Sequence, residues 1–170
     1  MSNVMRDIRL SKVTVNIGVG EGGEKLAKAE KLLGELTNQM PVKTLARSTI
    51  PTFTVRKGVP IACKVTLRNK KAEEFLKKAF SALENRLSRK SFDKAGNVTF
   101  GIKEHIDIPG TSYDPSVGIF GMDVALTVER PGYRIKRRRI AKAKVSKKHR
   151  VTSEEAVEFI KKKYNVIVED

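Results

Sequence analysis

Three stretches of the chain alternate between apolar and polar residues, which is typical of β-strands with one buried face. They are residues 8–19, 60–68 and 121–129. Their apolar positions, such as Val13, Val15 and Ile17 in the first stretch, point to one side. The opposite side carries small, polar or charged side chains, namely Lys12, Thr14, Asn16, Gly18, Ala62, Lys64, Thr66, Arg68, Ala125, Thr127 and Glu129.

Apolar residues at helical spacing predict helices over residues 24–38, 71–87 and 152–164. Short strands are predicted at 42–46, 98–106 and 166–168, and a loop at 107–120. The strands are one-sided and their connections are mixed. These features predict an α+β fold, with a mostly antiparallel sheet, helices packed on one face, and the other face open, polar and basic.

The excess positive charge is confined to two segments. The chain has 35 Lys and Arg against 19 Asp and Glu, a net charge of +16. Residues 41–71 contain eight Lys or Arg and no acid, and residues 131–150 contain ten and no acid, so the remainder carries −2. A generally basic, solvated surface does not explain two acid-free segments. Such clustering is the electrostatic footprint of a nucleic-acid-binding protein.

The long loop over residues 48–60 strengthens this interpretation. It contains Phe53 and two adjacent cations, Arg56 and Lys57, and it precedes the basic face of the 60–68 strand. A basic loop with an aromatic side chain suits contact with a polyanion.

Other features indicate the compartment. The single cysteine, Cys63, permits no internal disulfide and lies on the apolar face of its strand. The N-terminus lacks the apolar core of a signal peptide, and no run of residues is long and apolar enough to cross a membrane. The expectation is a cytoplasmic protein without contact with a membrane.

The segment Gly18-Val19-Gly20-Glu21-Gly22-Gly23 satisfies the G-x-G-x-x-G pattern of dinucleotide-binding sites. However, Glu21 would place a carboxylate where the pyrophosphate belongs, and no acid follows about 20 residues later. The preceding strand is also amphipathic, whereas strands of a parallel sheet are apolar on both faces. These glycines are therefore interpreted as a tight turn between strand and helix.

The sequence contains no recognisable catalytic or metal-binding pattern. His105 and His149 are isolated; His105 is expected to pack at a strand end and His149 to contact phosphate or solvent. Asp107, Asp114 and Asp123 lack the spacing of a metal-binding loop. Neither an enzyme, a metal site nor a cofactor is predicted.

Four segments together resemble one family, ribosomal protein five of the large subunit, which binds 5S rRNA. They are VTVNIGVGEG (13–22), ARSTIPTFTVRKGVPIACKVTLR (46–68), SFDKAGNVTFGIKEHI (91–106) and DPSVGIFGMDVALTV (114–128). The ending, from RPGYRIKRRR at 130–139 to the last helix, is similar to the archaeal and eukaryotic branch. The N-terminal helix typical of the bacterial branch is not expected in this chain.

The resemblance implies a structural protein of the central protuberance, bound to 5S rRNA and to large-subunit rRNA. Its 5S-binding positions fall on Asn16, Gln39 and Thr66, and Lys64 and Arg68 share the predicted open face. The family's protruding loop, which approaches P-site tRNA, falls on residues 48–60. There Arg56 and Lys57 could meet phosphates, while Phe53 could stack or anchor the loop to its own domain.

The remaining predictions concern the basic segments and the partners. Further rRNA contacts are predicted for Lys43, Arg47, Arg134, Lys136, Arg137, Arg138 and Arg139. Neighbouring proteins of the central protuberance are the expected protein partners. Residues 1–170 are predicted to form one RNA-binding domain, with a basic extension from about residue 131.

Two alternatives remain at this point. A free-standing regulatory protein, for example one that compacts DNA, would bind duplex DNA as well as 5S rRNA. A nucleotide-using enzyme would be stabilised against melting by NAD or ATP.

Overall fold

The computed structural model describes residues 3–115 and 117–169, so residue 116 of the predicted 107–120 loop lies outside the description. The strands are β1 (Arg9–Gly18), β2 (Val42–Leu45), β3 (Pro60–Leu67), β4 (Arg86–Ser88), β5 (Val98–Ile102), β6 (Met122–Glu129) and β7 (Ile167–Glu169). The α-helices are α1 (Glu24–Thr37), α2 (Asn69–Ala82), α3 (Arg134–Arg137) and α4 (Ser153–Tyr164).

Five strands form one sheet in the order β2-β3-β1-β6-β5, and each neighbouring pair is antiparallel. β1 and β2 run in the same direction with β3 between them, because both are antiparallel to β3. Helix α1 carries the chain across from β1 to β2. The predicted α+β class with a mostly antiparallel sheet is confirmed.

The alternation of side chains along the strands sets the position of the core. Val13, Val15 and Ile17 of β1 are buried, as are their counterparts Cys63, Val65 and Leu67 of β3 and Val124, Leu126 and Val128 of β6. Since successive side chains on a strand point to opposite faces, the residues between them form the other face of the sheet. The predicted buried face is confirmed for these strands.

Helices cover the apolar face of the sheet. α1 contributes Leu26, Ala29, Leu32 and Leu33 to the core, α2 contributes Ala72, Phe75, Leu76, Ala79 and Phe80, and α4 contributes Ile160. The Phe80 ring lies 5.4 Å from that of Phe100 on β5 and 5.3 Å from that of Tyr164 on α4. Burial of each such large side chain contributes roughly 1.5–3 kcal/mol, so this packing holds the helices on one face.

Helix α2 ends at Ala82, and the prediction that it extends to about residue 87 is wrong. Glu84 and Asn85 adopt left-handed backbone conformations, with φ of 51° and 57°, which turn the chain out of the helix. Leu87, the last residue of the predicted helix, is buried, but it lies on β4. β4 pairs in parallel with β7, and the two strands form a small second sheet. The sequence did not indicate this pairing.

Strand β5 ends at Ile102, four residues before the predicted end. Ile102 is paired with Met122, the first residue of β6, so β5 has no partner strand beyond that point. The chain continues as a short 3₁₀ turn, His105–Asp107. His105 is buried there, 1% exposed, and its Nδ1 accepts a hydrogen bond from the Phe120 amide at 3.4 Å.

Candidate nucleic-acid interface

The open face of the sheet consists of small and polar side chains in register. Residues directly opposite each other in an antiparallel pair share a face. One row across the sheet is Lys64, Asn16, Asp123 and Gly101, and the next is Thr66, Thr14, Ala125 and Thr99. Lys12 and Thr127 form a third, shorter row of the open face. Such a surface lets a nucleic-acid backbone approach closely and offers donors to phosphate and ribose.

Gln39 joins this face from the loop after α1. Its Nε2 donates to the carbonyl oxygen of Thr66 at 3.3 Å, and the Lys71 ammonium donates to the carbonyl of Asn38 at 3.1 Å. Asn38 has a left-handed backbone and ends α1. The structure thus brings Gln39 beside Thr66, two strand positions from the Asn16–Lys64 pair. Arg68 is exposed where β3 passes into α2.

Two further open-face positions were not among the predicted RNA-binding residues, although the alternation of the first strand already put Lys12 on that side. Lys12 pairs with Thr127, and Thr99 of β5 pairs with Ala125, so both lie on the open face. The signal for Thr99 was present, because Val98, Phe100 and Ile102 alternate with Thr99 and Gly101. Asp123, paired with Asn16, adds one exposed carboxylate to this face.

Residues 48–60 form a hairpin-like projection held by its own backbone. Ala46 and Val59 are joined by a hydrogen bond of 2.9 Å, and Ile50 and Val55 exchange two. At its tip, Phe53 ends a 3₁₀ turn and is 70% exposed. Arg56 and Lys57 are also exposed. The exposure of Phe53 argues against the alternative that it anchors the loop in the core.

Two further predicted cations of the first basic segment, Lys43 and Arg47, lie apart from the open face. Lys43 is paired in register with buried Cys63, so it points to the helix side, where its ammonium lies 3.1 Å from the Glu30 carboxylate of α1. The structure therefore does not place Lys43 with the open-face residues. Arg47 is exposed at the start of the hairpin.

The basic segment 131–150 is a loop whose two ends are tied together. The Arg130 guanidinium donates to the carbonyls of Arg6 (3.0 Å) and Arg150 (3.2 Å), and to the Glu155 carboxylate (2.7 Å). His149 Nε2 lies 2.8 Å from the Pro131 carbonyl oxygen. His149 was expected to contact phosphate or solvent; instead it helps to close the neck of the loop.

The loop also contacts the open face at one end. Arg137 forms an ion pair with Glu129, which is only 4% exposed although it points to the open side of β6, and lies 3.5 Å from the Ser11 hydroxyl. The ion pair with Arg137 thus covers the Glu129 carboxylate, so this carboxylate is not exposed on the open face. Arg134, Lys136, Arg138 and Arg139 are exposed, and they carry positive charge on the surface next to the sheet.

The glycine turn lacks the geometry of a dinucleotide site. The amides of Val19 and Gly20 both donate to the carbonyl of Ile61, at 3.1 and 2.9 Å, so they are not available to a phosphate. Both neighbours of β1 are antiparallel, whereas the dinucleotide fold needs a parallel pair. Gly20 and Gly23 have φ of 82° and 93°, as the predicted tight turn requires.

The ionisable groups do not suggest catalysis or metal binding. Burial raises the pKa of the Cys63 thiol, so it stays protonated and inert near neutral pH. Among the described residues, no group of three or more His, Cys, Asp or Glu could hold a metal ion. Within the same ranges, no helix has the length and apolar character needed to span a bilayer.

Comparison with known proteins identifies the family. Residues 3–56 match the family described as "Ribosomal protein L5", and residues 60–159 match the model of that ribosomal family's C-terminus. The chain is 60% identical over 98% of its length to the large ribosomal subunit protein uL5 of Sulfurisphaera tokodaii, covering 94% of that protein. It is 54% identical to uL5 of Methanosphaera stadtmanae (98% and 99% covered) and 57% identical to uL5 of Sulfolobus acidocaldarius (98% and 93% covered).

These relatives are archaeal, as the resemblance of the C-terminal segment predicted. Two sets of observations, the fold and the matches over nearly the whole chain, therefore agree. The chain belongs to the uL5 family and is a structural, non-enzymatic, rRNA-binding constituent of the large ribosomal subunit.

Proposed function

We propose that this protein binds 5S rRNA with the open face of its sheet. The observation that carries the proposal is the register of that face, in which Asn16 pairs with Lys64 and Thr14 with Thr66 while Gln39 reaches the Thr66 carbonyl. Amide, hydroxyl and ammonium groups on an otherwise flat surface suit the 2′-hydroxyls, phosphates and base edges of folded RNA. Arg68, exposed at the end of β3, extends the same surface.

The experiment compares Asn16→Ala and Thr66→Ala with wild type for binding to 5S rRNA and to an unrelated RNA duplex. Loss of a neutral hydrogen bond removes about 1 kcal/mol, roughly fivefold in affinity. We expect that loss for 5S rRNA and a smaller one for the duplex. Ser81→Ala, an exposed position on α2, is the control. Equal losses on both RNAs would show that the face does not recognise 5S rRNA.

We further propose that the 48–60 hairpin contacts P-site tRNA. Its support is that Phe53, Arg56 and Lys57 are exposed on a projection that leaves the sheet and is ordered by its own backbone hydrogen bonds. Cations and an exposed ring are the groups that bind phosphates and stack on bases. The open face and the hairpin would then serve different RNAs.

This division of roles is tested with the double variant Arg56→Ala/Lys57→Ala in reconstituted large subunits. We expect nearly unchanged binding to 5S rRNA and weaker binding of P-site tRNA. The double variant Lys77→Ala/Lys78→Ala removes an adjacent pair of exposed cations from α2 and should change neither. Loss of 5S binding in the first variant would contradict the separate roles.

The remaining partners follow from the same surfaces. We propose that Arg47 and the exposed cations of the 131–150 loop contact large-subunit rRNA, and that Lys43 contributes less because it is paired with Glu30. We also propose that residues 1–170 act as one RNA-binding domain in the cytoplasmic ribosome, beside other proteins of the central protuberance.

A further inference from the structure

A cleft of about 350 Å³ lies between the glycine turn and the 48–60 hairpin. Its walls include Val19, Gly20, Glu21 and Gly22 on one side and Phe53 and Val59 on the other. The volume is near the lower end of the range for small-molecule sites, roughly 300–1,000 Å³. The hairpin proposed to contact P-site tRNA forms one wall of this cleft, whereas the glycine turn that forms the other wall has no role in the functions proposed above.

The lining of the cleft suits a flat aromatic ring. Phe53 is 70% exposed and Val59 38%, so apolar surface faces the cleft without being covered by the protein. On the opposite side, Gly20 carries no side chain, and a Cβ built there would meet no atom within 4 Å. Phenylalanine rings commonly stack on unpaired bases of RNA.

The cleft does not suit a phosphate. The Val19 and Gly20 amides are already bonded to the Ile61 carbonyl, and the ionisable group at the cleft is the Glu21 carboxylate. The Lys25 ammonium lies 2.6 Å from Glu21 Oε1, and both side chains are largely exposed. A carboxylate accepts hydrogen bonds, so it favours an occupant that presents N–H donors.

Guanine presents two adjacent N–H donors on its Watson–Crick edge, at N1 and at the exocyclic amino group. Adenine presents only its amino group on that edge. The cleft lies at the end of β1 and β3, because its residues Val19 and Ile61 are next in sequence to Gly18 and Ala62, the last pair of the open face. RNA that is bound at this end of the sheet lies within reach of the cleft.

We propose that this cleft binds an unpaired guanine base of RNA, which stacks on Phe53 and donates hydrogen bonds to Glu21. The proposal rests on the proposed RNA-binding function and adds a base-specific site to it. It also explains why a carboxylate occupies a glycine turn beside a strongly basic segment. The negative charge of the carboxylate repels phosphate, and its oxygens accept hydrogen bonds from the base.

The test uses the full chain and nine-residue oligouridine RNAs that carry guanosine, inosine or adenosine at the centre. A good bidentate contact discriminates by roughly tenfold or more. We expect guanosine to bind about tenfold more tightly than adenosine, with inosine between them because it lacks the amino group. Glu21→Gln should bring the guanosine-to-adenosine ratio close to one, and Phe53→Ala should weaken guanosine binding about tenfold.

Matched controls exist for both variants. Glu24→Gln removes another exposed carboxylate, which forms an ion pair with Lys28 four residues further along α1. Tyr113→Ala removes another exposed aromatic ring. Neither should change the ratio. All four side chains lie on the surface, and unchanged urea midpoints would show that the variants fold. An unchanged ratio in Glu21→Gln, or unchanged guanosine affinity in Phe53→Ala, overturns the proposal.

The source of the base is identified by crosslinking. 5S rRNA, tRNA and large-subunit rRNA are each transcribed with 6-thioguanosine and irradiated with the protein. Crosslinks to the cleft residues that disappear in Phe53→Ala support the proposal and name the RNA. Cleft crosslinks from none of the three overturn it. Intact 5S binding by wild type in that case would leave the proposed function standing, whereas absence of any RNA binding would reject both.

Discussion

At the scale of single residues, the hydroxyl of Tyr164 is a buried polar group without a hydrogen-bond partner among the described residues. Burial, and then the nearby Glu73 carboxylate, raise the pKa of Tyr164 to about 12. A buried unpaired hydroxyl destabilises the folded state by about 1 kcal/mol or more. We therefore expect Tyr164→Phe to be more stable than wild type by about 1 kcal/mol in urea unfolding at pH 7.

The same residue gives the protein an alkaline pH dependence. In the unfolded chain this phenol ionises near pH 10, and in the folded protein near pH 12. The unfolded state thus loses its proton first, and stability falls as pH rises from 10 to 12. The stability difference between Tyr164→Phe and wild type should grow between pH 9 and pH 11. A constant or shrinking difference would mean that the pKa of Tyr164 is not raised in the folded protein.

Lys43 and Glu129 show where residue-level prediction from the sequence was limited. The alternation of β2 puts Val42 on the open face and Lys43 on the helix side, so counting cations in a segment overlooked the direction of the side chain. Glu129 follows the alternation, but it is buried where Arg137, eight residues further along the chain, pairs with it. The first outcome was present in the sequence pattern; the second depends on tertiary contact alone.

At the scale of elements, the start of α4 is tied to the neck of the basic loop through Glu155. Thr152 and Glu155 form a capping box, and Arg130 adds an ion pair with Glu155 at 2.7 Å. Burial disfavours the charged form of Glu155, but the hydrogen bond from the Thr152 backbone and the Arg130 contact outweigh it and lower the pKa. We expect Glu155→Gln to lose about 1 kcal/mol of stability at pH 7.

The pH dependence of that loss distinguishes the charge from the packing. Because the pKa of Glu155 is lower in the folded protein than its ordinary value of 4.5, its contribution is complete above about pH 4.5 and disappears as pH falls through the folded value. Thermal unfolding of Glu155→Gln and wild type should therefore converge toward pH 3. Glu154→Gln, also in the first turn of α4, is the control. A deficit that persists at pH 3 would assign the effect to packing.

The sequence predicted the strands better than the ends of elements. β1, β3 and β6 each have one face against the core, and a shift of one residue would expose every apolar side chain, so the pattern is unambiguous. The predicted end of α2 was too late because Leu83 and Leu87 continue the apolar spacing past the left-handed turn at Glu84 and Asn85. The left-handed position that ends a helix is usually glycine and less often asparagine, so Asn85 indicated the end of α2 only weakly. The β4–β7 pair joins segments far apart in sequence, which local patterns do not report.

At the scale of the whole molecule, the second basic segment is attached to one end of the open face. The Arg130 and His149 contacts close the neck of the 131–150 loop, and Arg137 attaches it to Glu129 and Ser11 at the end of the open face. The cations of the loop are thus held beside the sheet before RNA binds. An ordered loop loses less conformational entropy on binding than a flexible basic tail would.

The contribution of this loop is measured by the salt dependence of 5S rRNA binding. The triple variant Arg134→Gln/Lys136→Gln/Arg139→Gln removes three exposed charges and leaves the Arg137–Glu129 pair intact. Each phosphate contact contributes about 0.7–0.9 to the slope of log affinity against log salt, so the slope should fall by about two to three. Lys31→Gln/Lys161→Gln/Lys162→Gln makes the same charge change on α1 and α4, away from the open face, and should alter the slope much less. Equal slopes for both triple variants would mean that net charge, and not the position of the loop beside the open face, governs RNA binding.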